Sequence, residues 1–158
     1  MGRRRIYVDT SVIGGCFDAK FAGDSLKLIE SARIGACILL ISAITRRELL
    51  MAPPAVSAIL HGLPQGAVEE LRVSPEALEL ADKYLAARVI GAGMLADAQH
   101  IAIATINDAD VLVSWNFKHI VNLLRVKGYN AVNVREGYRS LEIRTPREVN
   151  LDADRTKY

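Results

Sequence analysis

Apolar positions along this chain follow two rhythms. Short continuous apolar runs alternate with longer stretches in which apolar residues return every third or fourth position, the periods of buried strands and of helices. Arg5 to Asp9 reads as a short buried strand ending in a carboxylate, with Thr10 and Ser11 placed to cap the helix that follows. Asp24 or Ser25 opens a second helix with Leu26, Ile29 and Ala32 on one face, and Gly35 stops it. Ala36 to Ile41 is rich in Ile and Leu without alternation, as in a central parallel strand. Ser42 then begins a helix carrying Glu48, which Pro53 and Pro54 end.

Ala55 to Leu60 is predicted helical, Gly62 to Gly66 a loop, and Val68 to Val73 a short strand. Ser74 and Pro75 suit the N-cap and first turn of a helix running to about Ile90, with Leu78, Ala81, Leu85 and Val89 inward. Gly91 to Gly93 is a flexible break. Leu95 to about Asn107 is apolar almost all round, which predicts a core helix. Asp110 to Ser114 reads as the next strand, Phe117 to Lys127 as a helix closed by Gly128, and Ala131 to Val134 as a last strand. Ile143 to Val149 is a turn or edge segment, and Asp152 to Tyr158 a loose end. Strands alternating with helices predict an α/β fold of three α/β/α layers around a parallel sheet. Residues 1–149 form a single domain in this reading and 150–158 a polar tail.

Composition adds boundaries to that picture. A length of 158 residues suits one domain, and 51% hydrophobic with 24% charged residues is ordinary for a globular protein. The net charge of +2 is too small to call for nucleic acid by itself. Ile34 to Ile44, the longest nearly apolar run, is too short to span a bilayer and is interrupted by Gly35 and Ser42. The basic start lacks the apolar region of a signal peptide, so a cytoplasmic protein without membrane association is expected. Cys16 and Cys37 have neither zinc spacing nor a disulfide framework.

The chemistry lies at the ends of the apolar segments. Asp9 closes a strand, Glu48 rides on an early helix, Asp97 opens the core helix, and Asn116 follows another strand. A carboxylate beside a core segment is costly unless its charge is compensated, and a hard cation such as Mg²⁺ prefers oxygen ligands. Ligands of parallel sheets bind beyond the carboxyl ends of the strands, where Asp9, Ser114 and Asn116 fall. Asp97 sits in a first turn, where the helix dipole favours an anion. Metal-assisted phosphodiester cleavage is the leading reading. Each position also has a plainer role: Asp9 as an N-cap, Glu48 as an ion-pair partner of Arg46 or Arg47, Asp97 as a dipole residue. His100 suits a core hydrogen bond, His119 a solvated pair with Lys118, and Trp115 hydrophobic packing or base stacking. Arg3, Arg4 and Arg5 form a basic cluster at the start.

Taken together, Asp9 after the first strand, Glu48 on an early helix, Asp97 at the start of a buried helix and Ser114-Trp115-Asn116 after a later strand resemble the signature of the PIN-domain ribonucleases. The segment from Ile143 to Val149 resembles the C-terminal segment of bacterial, VapC-like members, and the resemblance covers about residues 5 to 149. It implies a PIN-like fold and Mg²⁺- or Mn²⁺-dependent hydrolysis of RNA. Asp9, Glu48, Asp97 and Asn116 would hold the metal, and Ser114 and Thr10 would support them or touch substrate. It also implies the toxin of a toxin–antitoxin pair, with an antitoxin partner and a homodimer. Asn116 departs from the family, many of whose members carry Asp there, and leaves three carboxylates at most. The alternative is a degenerate PIN fold that binds RNA or protein without cleaving.

Overall fold

The computed structural model describes residues 2–155. Five strands form one parallel sheet: β1 (Arg4–Val8), β2 (Cys37–Ser42), β3 (Val68–Leu71), β4 (Val111–Val113) and β5 (Ile143–Arg144), in the order β3-β2-β1-β4-β5. The connecting helices are α1 (Thr10–Gly14), α2 (Ala22–Arg33), α3 (Ala43–Leu50), α4 (Pro54–His61), α5 (Pro75–Ala86), α6 (Leu95–Ile106), α7 (Leu123–Arg135) and α8 (Pro146–Arg155). The chain moves outward from β1 through β2 to β3, then returns to place β4 on the other side of β1. The sheet therefore reverses its strand order between β1 and β4, where a parallel sheet opens a crevice at its carboxyl edge.

Period-two alternation sends the strand residues into two separate cores. Ile6, Val8, Leu39, Ile41, Val111 and Val113 join a cluster with Val12, Leu28, Ile29, Leu60 and Val149. Tyr7, Leu40 and Leu112 point the other way, onto Ala81, Tyr84, Ile101, Ile103 and Tyr129. Helices thus cover both faces, giving the three layers expected, and the central strands β2 and β4 read as nearly unbroken apolar runs because neither of their faces meets water. α6 is buried nearly all round, with Ala98, His100, Ile101, Ala102, Ile103, Ala104 and Thr105 enclosed.

Several elements differ from the sequence reading. Residues expected as a helix from Phe117 to Lys127 and a strand from Ala131 to Val134 form a turn followed by one helix, α7. Asn122 caps that helix by accepting hydrogen bonds from Leu124 N and Arg125 N. Gly128 lies inside it, pressed against Val89, where an added Cβ would stand 2.7 Å from Cγ1. The glycine is there for close packing, not as a stop. Gly137, with φ of 89°, is the glycine just past the helix end. Tyr129, Val132 and Asn133 face inward while Val134 is 62% exposed, a helical and not a strand pattern. In α5 the buried stripe is Ala77, Leu80, Ala81 and Tyr84; Leu78 faces out, and the helix ends at Ala86, short of Ile90. Beyond β5, the chain expected to loosen continues as α8 through Arg155. Buried Asn150 donates to Asp24 O at 2.9 Å, while Arg144 pairs with Asp152 and Lys27 with Asp154. Residues 156–158 of the expected tail lie outside the described residues.

Candidate functional site

The site begins with strand register. β1 and β4 pair Val8 with Val113, so the next residues, Asp9 and Ser114, stand side by side at the carboxyl edge. Ser114 Oγ donates to Asp9 Oδ2 at 2.6 Å, and Ser11 Oγ donates to Asp9 Oδ1, also at 2.6 Å. Asp9 is itself the N-cap of α1, accepting from Val12 N at 3.3 Å. The expected caps, Thr10 and Ser11, do not serve, because an N-cap needs an extended backbone and both are already helical. Their hydroxyls turn to the acidic groups instead.

Glu48 arrives on α3, whose start is fixed by Ser42 at the end of β2. Thr10 Oγ1 donates to Glu48 Oε1 at 2.9 Å, and His100 Nε2 lies 2.6 Å from the same oxygen. Behind His100, which is 1% exposed, Nδ1 meets the Tyr7 hydroxyl at 2.7 Å, and that hydroxyl meets Ser42 Oγ at 2.9 Å. Ser42 Oγ already accepts from Ile44 N, so its proton is free for Tyr7. Ser42, Tyr7, His100 and Glu48 thus form one hydrogen-bonded line, in which Nε2 donates whenever Glu48 is ionised. Among the described residues neither Arg46 nor Arg47 forms an ion pair with Glu48: Arg46 binds Glu70, and the glutamate's partners are His100 and Thr10.

Asp97 lies in the first turn of α6, and Asn116 Nδ2 donates to its Oδ2 at 3.3 Å. The Asn116 side-chain Oδ1 accepts from Lys118 N at 3.2 Å and His119 N at 3.0 Å. Asn116 therefore bridges Asp97 to the turn after β4, with its oxygen committed to backbone. Beside it, Trp115 is 9% exposed and donates through Nε1 to Ser25 Oγ, which places it in the core. His119 Nδ1 is buried with no hydrogen-bond partner among the described residues.

The electrostatics join these groups into one site. Burial lifts the Asp9 carboxyl above the usual range despite its hydroxyl donors and His100. Burial likewise lifts Asp97, and the charges of Asp9 and Glu48 add to the rise. Burial opposes ionisation of Glu48 too, but the His100 and Thr10 contacts hold it below the ordinary value. Among the described residues no Lys or Arg forms a salt bridge to any of the three. Mutually repelling, oxygen-only groups fit a hard divalent cation. Among the described residues, though, no three His, Cys, Asp or Glu side chains already surround a common point. Closing on an ion would require side-chain movement. The sequence suggests Ser11 only as a cap and Tyr7 only as part of a buried strand, while the core hydrogen bond expected of His100 is present.

No protein-family model matches the chain, and no curated protein is similar to it. Solved structures are. Mycobacterium tuberculosis VapC20, a Sarcin-Ricin loop cleaving toxin, aligns with a TM-score of 0.56 at 19% identity over 72% of this chain and 91% of that one. VapBC2 from Rickettsia felis, bound to a DNA fragment from its promoter, aligns at 0.54 with 16% identity over 72% and 89%. FitAcB from Neisseria gonorrhoeae aligns at 0.54 with 14% identity over 89% and 97%. At such identities the likeness is one of architecture, and the architecture of this chain is the VapC-like PIN-domain fold.

Proposed function

We propose that this protein is a Mg²⁺- or Mn²⁺-dependent endoribonuclease acting as the toxin of a toxin–antitoxin pair. The observation that carries the reading is the gathering of Asp9, Glu48 and Asp97 from three elements at the carboxyl edge of the sheet, where Asp9 and Glu48 raise the proton affinity of Asp97. Asp9, Glu48 and Asp97 are the proposed metal ligands. Asn116, whose oxygen caps the following turn, instead holds Asp97 through its amide nitrogen. Ser11, Ser114 and Thr10 orient Asp9 and Glu48 through their hydroxyls. A bound ion would supply Lewis-acid activation of water and neutralise charge on the phosphate.

The fold likeness gives the reading its biological setting by analogy. VapC20 is a Sarcin-Ricin loop cleaving toxin, and VapBC2 is a complex seen on promoter DNA. An RNA substrate and an antitoxin partner follow by that analogy; a homodimer and a cytoplasmic setting are carried over from the family resemblance and the sequence alone. Among the described residues no helix is long and apolar enough to cross a membrane. The amide on Asp97 favours one second reading, a PIN-like module that binds RNA or protein without cleaving.

The deciding experiment is cleavage of single-stranded and structured RNA by the wild type and by Asp9→Asn, with Mg²⁺, with Mn²⁺ and in chelator. Metal-dependent cleavage lost in the variant is the expected result. Binding without turnover in every metal would establish the second reading.

A further inference from the structure

Next to the acidic site lies a group of aromatic rings that the proposed chemistry does not use. Phe21 and Trp115 stack with ring centroids 4.2 Å apart and planes 18° from parallel. Phe117 stands 6.2 Å from each, tilted by 40° and 48°, and is 50% exposed. Trp115 is held from behind: its indole N–H donates to Ser25 Oγ at 2.8 Å, and Ser25 donates to Val12 O at 2.8 Å. Its backbone N–H donates to Ser11 Oγ at 2.9 Å, the hydroxyl that also binds Asp9. Trp115 and Phe117 flank Asn116, the residue that touches Asp97. The rings are therefore fixed to the same hydrogen-bonded frame as the carboxylates. Cations adjoin them: Lys20 Nζ lies 5.4 Å from the Phe21 ring centroid, and Lys118 follows Phe117 and is exposed.

We propose that Phe117, backed by the Phe21–Trp115 stack and flanked by Lys20 and Lys118, is a stacking platform for an unpaired base of the RNA substrate. The proposal rests on the nuclease reading and deepens it by naming the residue that would hold an unpaired base of that substrate. A half-exposed aromatic ring with cations nearby suits a base and its phosphates. A base inside a duplex has both faces stacked and its backbone held in the helix, so a duplex interior offers no base to the platform. The lysines also supply attraction for a polyanion at the edge of a site whose carboxylates repel it.

Trp115 is the protein's single tryptophan, so its emission reports directly on the platform. The experiment titrates the full chain with short single-stranded oligoadenylate in excess chelator, so no turnover is involved. Wild type is expected to bind with a change in Trp115 emission. Phe117→Ala should weaken binding by about tenfold, the scale of one lost base–aromatic stack. Phe117→Leu keeps apolar bulk without a π face and should weaken it similarly, whereas Phe117→Tyr should bind like wild type. An abasic oligonucleotide should bind wild type as poorly as oligoadenylate binds Phe117→Ala, and duplex RNA should not compete. Unchanged affinity in folded Phe117→Ala and Phe117→Leu, equal binding of the abasic strand, effective competition by duplex, or no binding to wild type would each overturn the proposal. Because every arm is read without catalysis, a failure of metal-dependent cleavage leaves the result interpretable.

Discussion

At the scale of single residues, the three carboxylates are not alike. Among the described residues Asp9 accepts from two hydroxyls and a backbone N–H, Glu48 from Thr10 and His100, and Asp97 from the Asn116 amide alone. Burial first, then the charges of Asp9 and Glu48, push the Asp97 carboxyl up. A raised native pKa means that the folded protein binds this proton more tightly than the unfolded chain does. The associated stability is fully present below the unfolded value of about 4 and is lost as pH rises through the native value. Asp97→Asn removes that loss. In chelator its melting temperature should exceed the wild type's at neutral pH, the gain should vanish below about pH 4, and RNA cleavage should be abolished. Equal melting curves at neutral pH would refute the electrostatic account. The His100 relay makes a second test. Tyr7→Phe deletes the hydroxyl between His100 Nδ1 and Ser42 Oγ, both within buried residues. Chemical denaturation should show a loss of about 1–3 kcal/mol, the usual cost of stranding buried polar groups. Calorimetry should show weaker Mn²⁺ binding, since Glu48 loses its fixed orientation. The carboxylates could be found in the sequence because each sits at the end of an apolar segment. The relay could not, because Tyr7, Ser42 and His100 lie in three segments that each look like ordinary core.

At the scale of elements, the sequence was readable where one signal dominated. β1, β2, α3 and α6 combine apolar runs with clear boundaries, and Gly35, at φ of 81°, ends α2 as a glycine should. Around α7 two signals conflicted. Gly128 resembled a stop, and Ala131 to Val134 had strand composition. The distinction depended on Val89, far away in sequence and packed against the glycine. Gly128→Ala tests this directly. Alanine favours a helix interior by about 1 kcal/mol over glycine, but its methyl would meet Val89 Cγ1 at 2.7 Å. Overpacking of this kind costs about 1–3 kcal/mol and should prevail. Thermal unfolding should show a destabilised single variant and recovery when Val89→Ala is added. A stabilised single variant would show that the contact yields.

At the scale of the whole molecule, α1, α3, α6 and the turn after β4 bring their polar groups to one edge of the sheet. An ion bound there favours the native state and not the unfolded chain. Mn²⁺ should therefore raise the wild-type melting temperature in a concentration-dependent way, and Asp97→Asn should respond much less. An identical metal response in both would remove Asp97 from the ligand set. The order β3-β2-β1-β4-β5 has a further consequence, for timing. Asp9 and its donor Ser114 are 105 positions apart, joined only once β4 docks against β1. Long-range parallel pairing of this kind forms slowly. A ribosome that has made the chain only as far as α5 has produced Asp9 and Glu48, but neither Asp97 nor the hydroxyl at position 114. A cell synthesising this protein thus meets the complete acidic site only late in elongation, well after two of its three carboxylates have been made.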